Sequence, residues 1–154
     1  MEEKFSWQIS KQLLLAILND QVSDRFVCEL VWERLFYLKQ GQTDVWICTS
    51  ETPLYWSKKF SFAPPFISER AASIHLTRAI NENYKQGLKD FLNFKGYKVN
   101  ELFPRKTRRA TVVNWLIFWS RVYQYKIKSV GPMPPLSIPP GNPAFGHNDD
   151  PPIT

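Results

Sequence analysis

Along this chain, apolar residues recur at helical spacing in four places. Ile9, Leu13, Leu14, Ile17 and Leu18 predict a first helix over Lys11 to Asn19, with Ser10 as its N-cap. A second begins after Ser23 and buries Phe26, Val27, Leu30, Val31, Leu35 and Leu38, leaving Arg25, Glu29 and Glu33 on the wet side. Val22 and Val27 stand where a hydrophobic staple places them, and the short link favours an antiparallel helix pair. Tyr84, Leu88, Phe91 and Leu92 predict a third helix over 82–94, ended by Gly96 in a left-handed conformation. The last runs from about Thr107 to Tyr125 or Lys126 and contains "VVNWLIFW", apolar nearly all round. One narrow stripe on it is polar: Thr107, Thr111, Asn114 and Arg121.

Elsewhere the period is two. "TDVWICT" alternates as a strand does, "LYW" at 54–56 reads as a short second strand, and "SIHLT" at 73–77 alternates again. "FAPPF" at 62–66 has to be irregular, because proline supplies no N–H and restricts its neighbour. The expectation is a single α+β domain over 1–128, with about four helices and a small antiparallel sheet of two to three strands. Residues 129–154 hold eight of the twelve prolines and predict a disordered, partly polyproline-II tail.

With 154 residues there is room for one core. The longest uncharged apolar stretch, Ala110 to Ser120, is too short for a membrane span of about 20 residues. "MEEKFSWQIS" is acidic, unlike a secretory or organelle leader, and Cys28 and Cys48 read as free thiols of a reducing compartment. These features predict a soluble, cytoplasmic protein.

Charge changes the picture more. Residues 1–94 carry eleven Lys/Arg and eleven Asp/Glu, whereas 95–128 carry nine basic residues against Glu101 alone. Asp149 and Asp150 are the charges of the tail. "PRKTRRATVVNW" sets Arg105, Lys106, Arg108 and Arg109 before the last helix, where the backbone dipole is already positive. An external phosphate or carboxylate would reverse that penalty. These four side chains, extended by Lys95 and Lys98, are the candidate site for an anionic macromolecule, nucleic acid or acidic protein, with contact to a lipid surface also open. Pairing of the arginines with Glu101, Glu29 or Glu33 is the alternative that leaves no vacancy. Asp149 and Asp150 are expected to compete for the same cations.

Catalytic signals are weak. There is no phosphate-binding glycine loop, C-x-x-C, H-E-x-x-H or G-x-S-x-G. His75 reads as a strand residue, Glu29 and Glu33 as a solvated helix face, and no cofactor or metal set is recognisable. The rings of Trp46, Tyr55, Trp56, Phe60, Phe62 and Phe66 offer a second class of function, an aromatic protein-binding surface.

The runs "LVWERLFY", "WSKKF", "APPFI", "HLTRAI" and above all "NFKGYKVNELFPRKTRRATVVNWL" resemble an uncharacterised family of cyanobacteria with relatives in plant plastids, over about residues 10 to 123. The resemblance implies a cytoplasmic or stromal setting, with thylakoid association and a role as an assembly or scaffold factor for photosynthetic complexes. It carries no activity, cofactor or catalytic residue. The leading expectation is a non-enzymatic binding module for an anionic partner.

Overall fold

The computed structural model describes residues 5–154. The stretch "MEEKFSWQIS" lies partly outside the described residues. The order is α1 (Lys11–Leu18), α2 (Asp24–Arg34), β1 (Leu38–Lys39), β2 (Trp46–Ile47), α3 (Leu54–Ser57), α4 (Arg70–Ala79), α5 (Gly87–Leu92) and α6 (Pro104–Val122). Single 3-10 turns occupy Glu82–Tyr84 and Val99–Glu101. The class is α+β, with six helices rather than four and one two-stranded antiparallel sheet, Leu38 opposite Ile47 and Lys39 opposite Trp46.

Helices with a local start signal form where the pattern puts them. The hydroxyls of Ser10 and Ser23 accept from the N–H of Leu13 and of Phe26 and so cap α1 and α2. "LYW" is helical, not extended, because Pro53 presets the turn into α3. "SIHLT" is the middle of α4: Ala72, Ser73, Leu76 and Ile80 form its buried side at helical spacing. Five residues were too few to separate period two from period 3.6, and the flanking alanines favour the helix.

The predicted helix over 82–94 breaks into a 3-10 turn and α5, and Asn93 (φ 55°), not Gly96, is its left-handed C-cap. Gly87 explains where α5 can start. A Cβ there would stand 2.8 Å from Asn114 Oδ1 and 3.2 Å from Ile117 Cγ2, so a side chain would have to push both back, and glycine lets α5 lie this close to α6.

Helix α6 is the central element, packing against α1, α2, α4 and α5. It begins at Pro104, three residues earlier than expected, because proline suits the first helical position. Val112, Val113 and Leu116 are fully buried in the core beside Leu13, Leu14, Ile17 and Val27.

Beyond α6 the proline-rich segment holds no helix or strand, yet it is not free of the body. It runs as a strap over the body, with turns at 142–145 and 147–150. Its start is fixed by Lys11 N–H and Gln12 N–H donating to the carbonyls of Lys128 and Ser129. Its middle donates from Ser137 N–H to Gln21 O, and its end from Thr154 N–H to Ser68 O. Proline removes donors without removing acceptors, so such a segment can be bound through its carbonyls and its few non-proline amides.

Candidate functional site

The arginines at the start of α6 point into the protein. Arg105 and Arg109 are 0% and 1% exposed, and Arg108 is buried as well. Arg105 forms a fork on Asp20, with Nη1 at 2.7 Å from Oδ2 and Nη2 at 2.6 Å from Oδ1, while its Nε donates to Asp24 Oδ2 at 2.9 Å. Arg109 Nη1 donates to Asp24 Oδ1 at 2.7 Å. Its Nη2 reaches the carbonyls of Ile17 and Val22, each at 2.9 Å. Arg108 donates to the carbonyl of Ile67 at 3.0 Å and to the main-chain oxygen of Thr154 at 3.1 Å.

This arrangement overturns the expectation that Arg105, Arg108 and Arg109 await an external anion. The cations at the positive end of α6 lie beside the C-terminal end of α1, where Arg109 adds two donors to the Ile17 carbonyl that already accepts from Asp20 N–H. The neutralising acids are Asp20 and Asp24, not Glu101, Glu29 or Glu33. Asp20 takes a left-handed conformation (φ 60°) just past α1, and Asp24 opens α2, so their short link projects both carboxylates at α6. Burial by itself would raise the Asp20 carboxyl. The hydrogen bond from Arg105 and the charges of Arg109 and Arg105 outweigh burial and hold it below its ordinary value. Arg105 is raised above its ordinary value: burial opposes the shift, but Asp20 and Asp24 prevail. Arg108, with carbonyls as partners, is lowered by burial and by the nearby charge of Arg70.

The strap closes the cluster from outside. Pro143 O accepts from Arg105 at 3.4 Å, and His147 Nε2 lies 3.0 Å from Asp20 Oδ1. Asp150 does not compete for the arginines as expected. Its carboxylate accepts from the N–H of Asp24 at 2.9 Å and of Arg25 at 3.2 Å, capping the positive end of α2.

The remaining candidate cations face outward. Lys95 and Lys98 are exposed, and Lys106 is half-buried with Nζ 4.6 Å from the Tyr97 ring centre. Lys85, Lys89 and Lys95 border an open groove floored by Leu88, Phe94, Tyr97 and Ala110, and no Asp or Glu lines it. Thr107 reaches this groove. The rest of the polar stripe does not act as one face: Thr111 bonds back to Thr107 O, Asn114 Nδ2 to Lys85 O, and Arg121 lies over Phe91.

Other sequence candidates are dispersed or engaged. His75 is on a helix, stacked on Tyr55 with ring centres 3.9 Å apart, while Tyr55 OH donates to His75 O. Glu29 pairs with Arg25, and Glu33 accepts from Ser6. Of the six rings proposed as a surface, Trp56 and Phe66 belong to the core, and Trp46, Tyr55 and Phe60 pack against other rings; Phe62 is the most open, at 63%. Among the described residues, no group of three His, Cys, Asp or Glu converges on a metal-sized position, and no helix is long and apolar enough to cross a membrane.

A protein family described as a domain of unknown function, DUF1823, matches residues 8–121. The chain belongs to that family. The matched region takes in α1 through nearly all of α6, so Asp20, Asp24, Arg105 and Arg109 lie inside it and the strap lies beyond. A protein structure determined in solution by NMR is 42% identical, with a TM-score of 0.66, and the match covers 78% of this chain and 99% of that one. Among curated proteins none matches.

Proposed function

We propose that this member of the family is a non-enzymatic binding module for an anionic macromolecule, and that recognition lies in the lysine-bordered groove between α5 and α6. The observation that carries the reading is the groove itself: Lys85, Lys89 and Lys95 on its border, an apolar floor, and no carboxylate in its lining. Lys98 and Lys106 extend the positive surface, and the buried arginines take no part in contact. Asp90 and Glu101 stand in the same segment, so the five lysines leave a local excess of three. A surface of this kind attracts polyanions through released counterions, and its binding weakens steeply with salt. The cyanobacterial or plastid setting, and a cytoplasmic or stromal location, belong to this proposal on the resemblance of the sequence motif.

The test titrates the full chain with single-stranded RNA, duplex DNA, poly-glutamate and anionic vesicles at low and moderate salt. Binding to at least one probe is expected, falling ten-fold or more in a Lys89→Glu, Lys95→Glu, Lys98→Glu triple variant that stays folded. Absence of binding to all four, or an unchanged affinity in the triple variant, refutes the reading.

A further inference from the structure

At the far end of α6 a cavity of about 210 Å³ opens between the segment before α1, the end of α2 and the turn that follows α6. Its walls are aromatic. Trp119 and Tyr125 stack with ring centres 4.9 Å apart, Phe5 meets Trp119 edge-on at 5.4 Å, and Trp7 also lines the space. Two polar side chains in this lining are buried and unsatisfied: Nε of Arg34, a residue 4% exposed, and Oγ of Ser120, a residue 1% exposed, have no hydrogen-bond partner.

Arg34 is otherwise held firmly. Its Nη1 donates to Leu30 O at 2.9 Å and its Nη2 to Trp7 O at 2.8 Å, and its guanidinium lies 4.5 Å from the ring centre of Phe5. Among the described residues no carboxylate forms an ion pair with it. Neighbouring Glu33 accepts from the N–H and hydroxyl of Ser6 instead. A buried guanidinium N–H and a buried hydroxyl without partners are costly to maintain. A helical serine commonly satisfies itself on the carbonyl four residues back, and Ser120 does not.

We propose that this cavity is a binding site for a small aromatic carboxylate. The carboxylate takes the Arg34 Nε–H and the Ser120 hydroxyl as donors, and its ring lies among Phe5, Trp7, Trp119 and Tyr125. Each element of the class follows from the site. Among the described residues no carboxylate pairs directly with this charge, and Glu33 acts on it only through its field, so the site favours an anion. Both Nη groups already donate to carbonyls and Nε does not, so the head group is matched by one or two acceptor oxygens rather than by a phosphate that uses the whole fork. The aromatic walls select a flat apolar body. The volume suits one ring with a short acid arm, because a dry cavity of about 150 Å³ already accommodates benzene. Lys126 and Lys128 at the rim give entering anions a favourable field. Burial lowers Arg34 to about 10, only partly opposed by the charges of Glu33 and Tyr125, and a bound carboxylate would raise it again.

The probe is phenylacetate, with benzyl alcohol as the neutral ring control, followed through the indole N–H resonances of Trp7 and Trp119 in the full chain. Phenylacetate is expected to shift both saturably, with benzyl alcohol at least ten-fold weaker. Ser120→Ala is expected to weaken phenylacetate at least five-fold while the fold persists, and Arg34→Met to weaken it further. If Arg34→Met does not fold, Ser120→Ala decides alone. Absence of saturable shifts, equal affinity for benzyl alcohol, or unchanged affinity in folded Ser120→Ala overturns the proposal. The groove variant Lys89→Glu, Lys95→Glu, Lys98→Glu should leave phenylacetate binding intact, which keeps the two sites separable.

Discussion

Two ends of α6 meet buried arginines under different terms. At the N-terminal end Arg105 and Arg109 share Asp20 and Asp24, and the remaining donors of Arg109 find the carbonyls of Ile17 and Val22. At the C-terminal end Arg34 packs against Trp119 with main-chain carbonyls as its polar partners, an uncommitted Nε, and open space alongside. Both sites desolvate a cation, but among the described residues only the first pairs it directly with carboxylates. Burial of charge therefore does not by itself mark a ligand site. What distinguishes the two ends is whether every donor is used, and a cluster that is closed serves the fold while one left incomplete has capacity for a ligand.

The largest expected effect comes from opening the closed end. Arg109→Met or Asp24→Asn leaves a buried charge without its partner and should cost about 3–5 kcal/mol in urea unfolding, against less than about 2 kcal/mol for Arg34→Met, which breaks no ion pair. Equal costs at the two ends would erase the distinction. Acid probes the same network without mutation. The folded Asp20 carboxyl lies below its unfolded value, so its contribution is full above the ordinary aspartate range and is lost as pH falls through the folded value. Unfolding followed below about pH 4 should show this loss, and Asp20→Asn should flatten that part of the profile.

Removing the strap is a milder test. Truncation after Lys128 takes away the Asp150 cap on α2 and the contacts of Pro143, His147 and Thr154, for an expected loss of about 1–2 kcal/mol, with circular dichroism still reporting the helices. A truncated chain that binds polyanions better at low salt would show that the strap covers cations after all. The smallest effect belongs to the open end: Ser120→Ala should change stability by no more than about 1 kcal/mol, and in the stabilising direction, since it removes an unpaired buried hydroxyl. A large loss there would mean that the hydroxyl has a structural partner.

Much of the fold was legible because its signals are local. Ser10 and Ser23 announce α1 and α2 within three residues of their own position, and "VVNWLIFW" announces a helix buried on most sides. The misreadings cluster where segments are short. "LYW" and "SIHLT" carry too few residues for a period to emerge, and the break inside 82–94 depends on the approach of Gly87 to Asn114 and Ile117. The candidate site was legible as charge but not as direction. Asp20 and Asp24 look like ordinary turn and helix-start residues, and Arg34 like the last charged residue of an amphipathic helix.

The sequence alone determined where α1 and α2 begin, which helix is buried on most sides, and that an excess of cations gathers in residues 95–128. Only the tertiary structure decided what those cations are for. Arg105 meets Asp24 across 81 residues of chain and Asp20 across 85, and no pattern along the chain encodes such a pairing. Capping and periodicity act between neighbours and are written in order, whereas the sign and completeness of a buried charge depend on which distant groups the packing of α1, α2 and the strap brings against α6.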